Sequence, residues 1–552
     1  MQDDFPLTIT AILEHGTRVY GDSECVTWQG GGAPRRTRFA EIGDNARRLA
    51  AALTKLGIGT GDRVATFCWN HQEHLEAYYG VPCMGAVLHT LNIRLPAGQL
   101  EHIINHAEDR IVLVDGTLLP LLAPLADKLA TVEAYIVIGD SGVIGDSGVI
   151  GDGDAALLGD KPVYRYDELI GAEEPNFVWP ELDERSPASM CYTSGTTGDP
   201  KGVVYSHRST FLHALGNLGN AVIGPTEADR GLVIVPMFHV NAWGIPYIGL
   251  LAGMTLLMPG PHMTPGALCD FIAAERATLV SAVPTIWAGI LQTGEQREID
   301  VSSVRIGTSG GAAIPRSLME ALERRHGLRV VQGWGMTETS PVGGIAHPPL
   351  GVEWGSEDEF DWRMRSGRLI AGVQMRTVDD YGDELPADGA AVGEIEVRGP
   401  WITGSYHLDP APEKFHDGWL RTGDIGSLDR HGFFKISDRS KDVIKSGGEW
   451  ISSVELENLL AGCPDVLEAA VIGIPDDRWT ERPLACVVRK ANADLEPGKL
   501  AAYLEGKVAT WQVPENWAFI DEVPKTTVGK YDKKVLRARY QAGELAVERT
   551  RE

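Results

Sequence analysis

Cysteine is scarce. The chain has seven in 552 residues (Cys25, Cys68, Cys83, Cys191, Cys269, Cys463 and Cys486), an odd number with no CxxC pair, which argues against a disulfide framework and against a zinc knuckle. Reduced thiols and a cytoplasmic location are expected. Basic residues are also in deficit: 50 Lys and Arg face 76 Asp and Glu, a formal charge of -26, and a surface of that sign repels nucleic acid and anionic lipid. An anionic ligand can then bind only where backbone N–H groups, Lys and Arg overcome the global field. Long apolar runs are missing too. The longest, Ala242 to Met258, is broken by Pro246 and three glycines, falls short of the roughly 20 residues of a membrane span, and reads as buried core. The first residues, Met1 to Phe5, are acidic and lack the basic-then-apolar pattern of a leader.

What remains is ordinary globular composition, 43% hydrophobic and 23% charged, over a length that exceeds what one core serves, so at least two domains are predicted. Apolar residues at helical spacing over 45–56 stop at Gly57 before the strand-like Val64–Cys68. The same alternation recurs at 268–277 before 278–282, and at 316–325 before 328–331, which predicts an α/β sheet architecture. Segments 420–426 and 429–432 read as turns. Beyond them a compact pattern follows, with helix 454–460, strands 467–474 and 484–488, and helix 500–508, enough for a small α+β domain. The expected division is a large α/β domain over 1–437 and a small α+β domain over 438–552. The stretch Ile138-Gly-Asp-Ser-Gly-Val143 is repeated at once as 144–149; it is read as a duplicated surface turn without a function.

The sharpest motif is Tyr192-Thr-Ser-Gly-Thr-Thr-Gly-Asp-Pro-Lys-Gly202. Its glycines and hydroxyls (Thr193, Ser194, Gly195, Thr196, Thr197, Gly198) can wrap phosphate oxygens while Lys201 supplies charge. It is not a Walker A loop, since Pro200 precedes the lysine and Gly202 follows it. Downstream come Val235-Pro-Met-Phe-His-Val-Asn-Ala-Trp-Gly244, Ser309-Gly-Gly-Ala-Ala313 and Gln332-Gly-Trp-Gly-Met-Thr-Glu-Thr339. Glycines let a flat purine approach the backbone, Trp334 offers a stacking face, Thr337 a hydroxyl and Glu338 a hard oxygen for magnesium. Asp424, in Arg421-Thr-Gly-Asp424, is expected in a tight turn where it could accept from ribose hydroxyls. Pro524-Lys-Thr-Thr-Val-Gly-Lys530 ends on a lysine in a polar loop.

In this order, over nearly the whole chain, these motifs resemble the adenylate-forming enzymes: acyl-CoA synthetases, luciferases and peptide-synthetase adenylation domains. The bacterial fatty acyl-CoA synthetases are the most similar. The resemblance implies ATP-dependent activation of a carboxylic acid as an acyl-adenylate, then transfer to coenzyme A, with Mg²⁺ at Thr193 and Glu338. It places Gly311, Ala312, Gln332, Gly333, Trp334, Gly335, Met336 and Thr337 around the nucleotide with the phosphate loop, and Asp424 on ribose with Arg439, Lys441, Lys445 and Trp450 nearby. His239, Trp243 and Gly311 fall to the acyl group, Lys445, Ser446, Gly447 and Gly448 to coenzyme A, and Lys530 to catalysis with His239, Glu338 and Thr193. It implies a hinge at Asp438 about which the small domain swings, and a homodimer.

A medium- or long-chain fatty acid is the expected substrate; a short or aryl acid such as 3-methylthiopropionate is the alternative. An amino-acid-activating role is disfavoured, because no acid stands within 239–243 to pair with an ammonium and no carrier domain follows. A luciferase-like activity and a catalytically inactive nucleotide-binding protein are the other readings, the second opposed by the full set Lys201, Glu338, Asp424 and Lys530.

Overall fold

The computed structural model describes residues 4–139, 156–193, 200–219, 221–447, 449–491, 493–526 and 530–550. The 138–153 repeat lies almost wholly outside them. Helix Phe39–Lys55 shows why the first α/β unit forms. Phe39, Ile42, Ala46, Leu49, Ala50 and Leu53 recur on one buried face, and the Glu41 carboxylate accepts from Arg38 N–H at 2.9 Å to cap the first turn. That cap carries the helix six residues upstream of its apolar signal. It leads into strand Arg63–Phe67.

This strand sits in a seven-stranded sheet, ordered from Val163–Arg165 through Ala134–Ile138, Asp109–Asp115, Arg63–Phe67, Val87–Thr90 and Pro187–Tyr192 to Gly202–Ser206. Only the last strand runs antiparallel to its neighbour. Hence the chain between Tyr192 and Gly202, the glycine-hydroxyl motif, connects two hydrogen-bonded strands. A second sheet of 14 strands holds a parallel core that includes Leu279–Ala282, Ile306–Ser309 and Val330–Gly335, and continues antiparallel through Val342–Ile345, Gly367–Leu369, Phe433–Arg439 and Trp419–Leu428. The motifs beginning at Ser309 and Gln332 leave the carboxyl ends of its parallel strands, where open α/β sheets bind ligands. A third, six-stranded sheet begins at Ile444–Ser446 and packs helices Ser453–Ala461 and Pro497–Leu504 around Leu456, Leu460, Val471, Val487 and Trp517.

The architecture is therefore a large mixed α/β domain followed by a smaller α+β domain. All seven cysteines are buried and free, and no described helix is long and apolar enough to cross a membrane. The expected turn at 420–426 is instead part of strand Trp419–Leu428. Gly423, with φ of +72°, and a register shift after Ile425 irregularise the strand, which is why its sequence reads as a turn.

Candidate active site

A cleft of about 1760 Å³ runs along the carboxyl ends of these strands and is closed on one side by the small domain. Asp424 and Arg439 face each other across paired strands. The Arg439 Nε lies 2.6 Å from Asp424 Oδ1, and Trp334 Nε1–H donates to Oδ2 at 2.8 Å. Asp424 in turn holds the Arg439 guanidinium above its ordinary range. The Trp334 ring packs edge-on against Phe434, 5.5 Å between centroids, and a methyl group on Gly343 would lie 2.5 Å from it. Trp334 thus fixes the carboxylate besides lining the cleft.

Glu338 is buried. Its Oε1 accepts from the Tyr406 hydroxyl at 2.7 Å, its carbonyl accepts from Thr403 N–H at 2.8 Å, and the Thr337 carbonyl accepts from Tyr205 at 2.8 Å. Lys201 stands above the Tyr406 ring, 5.1 Å from its centroid, and 2.8 Å from Asp409 Oδ2, which raises its ammonium pKa. Thr193 N–H donates to the Lys201 carbonyl at 2.9 Å, and Lys201 N–H to Thr193 Oγ1 at 3.4 Å. The two ends of the loop are thereby tied together.

Lys530 reaches over from the small domain. Its Cε lies 3.4 Å from where a methyl group on Gly311 would stand. Burial first, then the Arg439 charge, push its ammonium down to about 8, while Asp424 and Glu338 oppose the shift. Burial, followed by the charges of Lys530 and Arg94, pushes His239 down to about 3, so its imidazole is neutral at ordinary pH.

Beside His239 the backbone winds left-handed. Val240, Asn241, Ala242 and Trp243 have φ of 46°, 48°, 49° and 57°, and Gly244 follows at 78°. Asn241 anchors the run, donating to Ser189 Oγ at 3.0 Å and accepting from Cys191 at 3.4 Å. The run lays the Trp243 indole on Gly310, where a methyl group would come within 2.8 Å of the ring. Next to it, Ser309 lines the cleft, and its buried hydroxyl has no hydrogen-bond partner among the described residues. Gln332 accepts from Ile314 N–H at 2.8 Å and donates to the Arg365 carbonyl at 3.1 Å, pinning the chain that carries Gly311 and Ala312.

Thr193, Lys201, His239, Trp243, Gly311, Ala312, Gln332–Glu338, Asp424, Arg439, Lys441 and Lys530 all line this one cleft. Ser194, Gly195, Thr196, Thr197, Gly198 and Gly448 lie outside the described residues. The structure does not bring Lys445, Ser446, Gly447 or Trp450 to the cleft. Lys445 and Trp450 pair across a hairpin, and the Ser446 hydroxyl accepts from Arg482 at 3.1 Å. In this arrangement Lys445 and Trp450, expected at the nucleotide, and 445–447, expected at the coenzyme, stand outside the cleft that gathers the other site residues. Sequence reasoning missed Tyr406 and Asp409, which stand alone in a short turn between motifs. It also missed the group that holds Asp438: Oδ2 accepts from Ser453 N–H at 2.6 Å and Ser453 Oγ–H at 2.5 Å, and Lys533 Nζ donates to Ser453 Oγ at 2.6 Å.

Residues 13–407 match the AMP-binding enzyme family, and residues 455–530 match the AMP-binding enzyme C-terminal domain. The chain is 42% identical to the 3-methylmercaptopropionyl-CoA ligase of Ruegeria pomeroyi, over 97% of this chain and 98% of that protein. It is 41% identical to a long-chain-fatty-acid–CoA ligase of Thermus thermophilus, over 98% and 96% respectively. The structure of the anthranilate CoA ligase AuaEII in complex with anthranoyl-AMP superposes with a TM-score of 0.85 at 25% identity, covering 98% of this chain and 99% of that one.

Proposed function

The chain belongs to the AMP-binding enzyme family and is an AMP-forming acid-thiol ligase, and from that premise we propose that its acid is short, of the size of 3-methylthiopropionate. The observation that carries this reading is the Trp243 indole seated on Gly310 in the cleft that His239 also lines, a bulky ring that would limit the depth open to an acyl chain. A long-chain acid, part of the first expectation from sequence of a medium- or long-chain substrate, would meet that ring.

In the first half-reaction a carboxylate oxygen attacks the α-phosphorus of ATP and pyrophosphate leaves. Two anions meet and a third departs, so neutralising charge is the main catalytic task. Lys530 supplies a desolvated ammonium at that point. His239, held neutral, abuts the acid without adding a competing charge. Asp424, steadied by Trp334 and Arg439, accepts from the ribose hydroxyls, and Lys201 exchanges Asp409 for phosphate oxygens. The free oxygen of Glu338, whose other oxygen is taken by Tyr406, and the Thr193 hydroxyl would be the protein's ligands to magnesium, an ion that keeps few of them. Bound there, it would add further neutralisation of the phosphate charge. In the second half-reaction the coenzyme thiol attacks the acyl carbonyl and AMP leaves. We assign that step to the Lys445–Gly448 face, presented when the small domain, residues 438–552, turns about Asp438.

The test is AMP release with coenzyme A over a panel of acids from acetate to dodecanoate, with 3-methylthiopropionate included. The highest kcat/KM is expected for 3-methylthiopropionate and acids of four to six carbons, and Trp243→Ala should move the optimum to longer chains. A parent optimum at dodecanoate overturns the proposal.

A further inference from the structure

The phosphate side of the cleft carries a group that the adenylation reading leaves unused. His102 and His106, one turn apart on helix Ala97–Ala107, stack at 5.4 Å, and His407 meets His106 edge-on, also at 5.4 Å. All three rings are half-buried and line the same cleft as Thr193 and Lys201. His106 Nδ1 shares a 2.7 Å hydrogen bond with the hydroxyl of Tyr192, the residue before Thr193. At the other end of the loop, His407 N–H donates to the Gly202 carbonyl at 2.7 Å. A methyl group on Gly202 would stand 3.0 Å from the Tyr192 ring and 3.1 Å from the His407 Cβ. The imidazoles are thus clamped to both ends of the phosphate loop. They are not a metal centre: among the described residues no group of three or more His, Cys, Asp or Glu could hold an ion.

We propose that His102, His106 and His407 form a receptor for a polyphosphate anion, the pyrophosphate that leaves the α-phosphorus. The inference rests on the adenylate-forming reading above and names the exit subsite of that reaction. On a chain of charge -26 such an anion needs local donors, and Lys201, the cation that lines the cleft with the patch, must first release Asp409 and is one charge against several. Three imidazoles suit a product better than three arginines. Burial, then the neighbouring imidazoles, hold His106 and His407 below the ordinary histidine range, so these two rings give up their charge more readily than a free histidine. An arriving polyanion draws protons onto the rings and is held by charge-assisted hydrogen bonds. Permanent cations would retain it and slow turnover.

The experiment measures inhibition of AMP release by added inorganic pyrophosphate. In the double variant His106→Gln/His407→Gln the inhibition constant should rise about tenfold, the loss expected when charge-assisted contacts are removed. His102→Asn, at the free end of the stack, should raise it severalfold and stands in if the double variant does not fold. Tyr192→Phe keeps all three rings and removes only the bond to His106; it should leave the constant at the parent value. An equal rise in Tyr192→Phe makes the rings mere props of the loop and overturns the proposal. So does an unchanged constant in the histidine variants, or a rise confined to the KM for coenzyme A, which would assign the patch to the coenzyme's own phosphates. A parent protein that releases no AMP from any carboxylate defeats the adenylate reading instead, a separate result.

Discussion

Removing the ammonium of Lys530 should damage one half-reaction and spare the other. Its pKa, lowered from 10.5 to about 8, means that holding this charge in the empty cleft costs on the order of 3 kcal/mol. Burial and Arg439 impose that cost, and the developing phosphate charge offsets it during adenylation. Lys530→Ala is therefore expected to slow acyl-adenylate formation by about 10²–10³-fold, the range for losing one preorganised charge-stabilising group. The assay is exchange of radiolabelled pyrophosphate into ATP, set against thioester formation from supplied acyl-adenylate, which should stay within a few-fold of the parent. The sign of the pH effect follows from the same shift. The ammonium is the active form, so kcat/KM for ATP should hold below pH 8 and fall as pH rises through it, whereas Lys530→Arg, at a lower plateau, should hold to higher pH. Exchange at the parent rate in Lys530→Ala, with only thioester synthesis lost, refutes the reasoning.

Two further outcomes are expected. Glu76 is fully buried, accepting from Tyr166 at 2.6 Å, Gln72 at 2.7 Å and Asn45 at 2.8 Å, and burial, then Glu73, raises it to about 7. The folded form then binds the proton more tightly than the unfolded chain, so this contribution is complete below about pH 4.5 and is lost as pH rises to about 7, up to about 3 kcal/mol. Calorimetric melting of Glu76→Gln should show a smaller drop in Tm between pH 5.5 and 8 than the parent; an equal drop sinks the assignment. Asp424→Asn keeps an acceptor for Trp334 while discharging the partner of Arg439, and should raise the KM for ATP about tenfold or more with little change in melting temperature; an unchanged KM would remove Asp424 from the nucleotide site.

The sequence made legible those site residues whose chemistry is local. The Glu338 motif and the terminal lysine are each read within a dozen positions, and Lys201, Glu338, Asp424 and Lys530 do line one cleft. Helix periodicity located the α/β units, and the helix at Arg316 begins where expected, but the capped first turns of Phe39–Lys55 and Pro265–Glu275 were missed, because a cap is a polar event that hydrophobic spacing does not register. Tyr406 was invisible because its partner Glu338 is 68 residues away. The Ser453–Lys533 support of Asp438 spans 80 residues. The conformational state was also beyond the string: Lys530 and Lys445 belong to the same small domain, yet only Lys530 lines the cleft.

The left-handed run at 240–244 carries a consequence for how acid preference can vary. A non-glycine residue in that conformation costs about 1 kcal/mol or more, and the run persists because buried Asn241 is gripped by Ser189 and Cys191. Loosening that grip would let the segment rewind in the ordinary hand and carry the indole away from Gly310. On the proposed reading of Trp243, chain-length choice would then rest with residues behind the pocket wall, and relatives with identical walls would diverge in substrate through a change in their support.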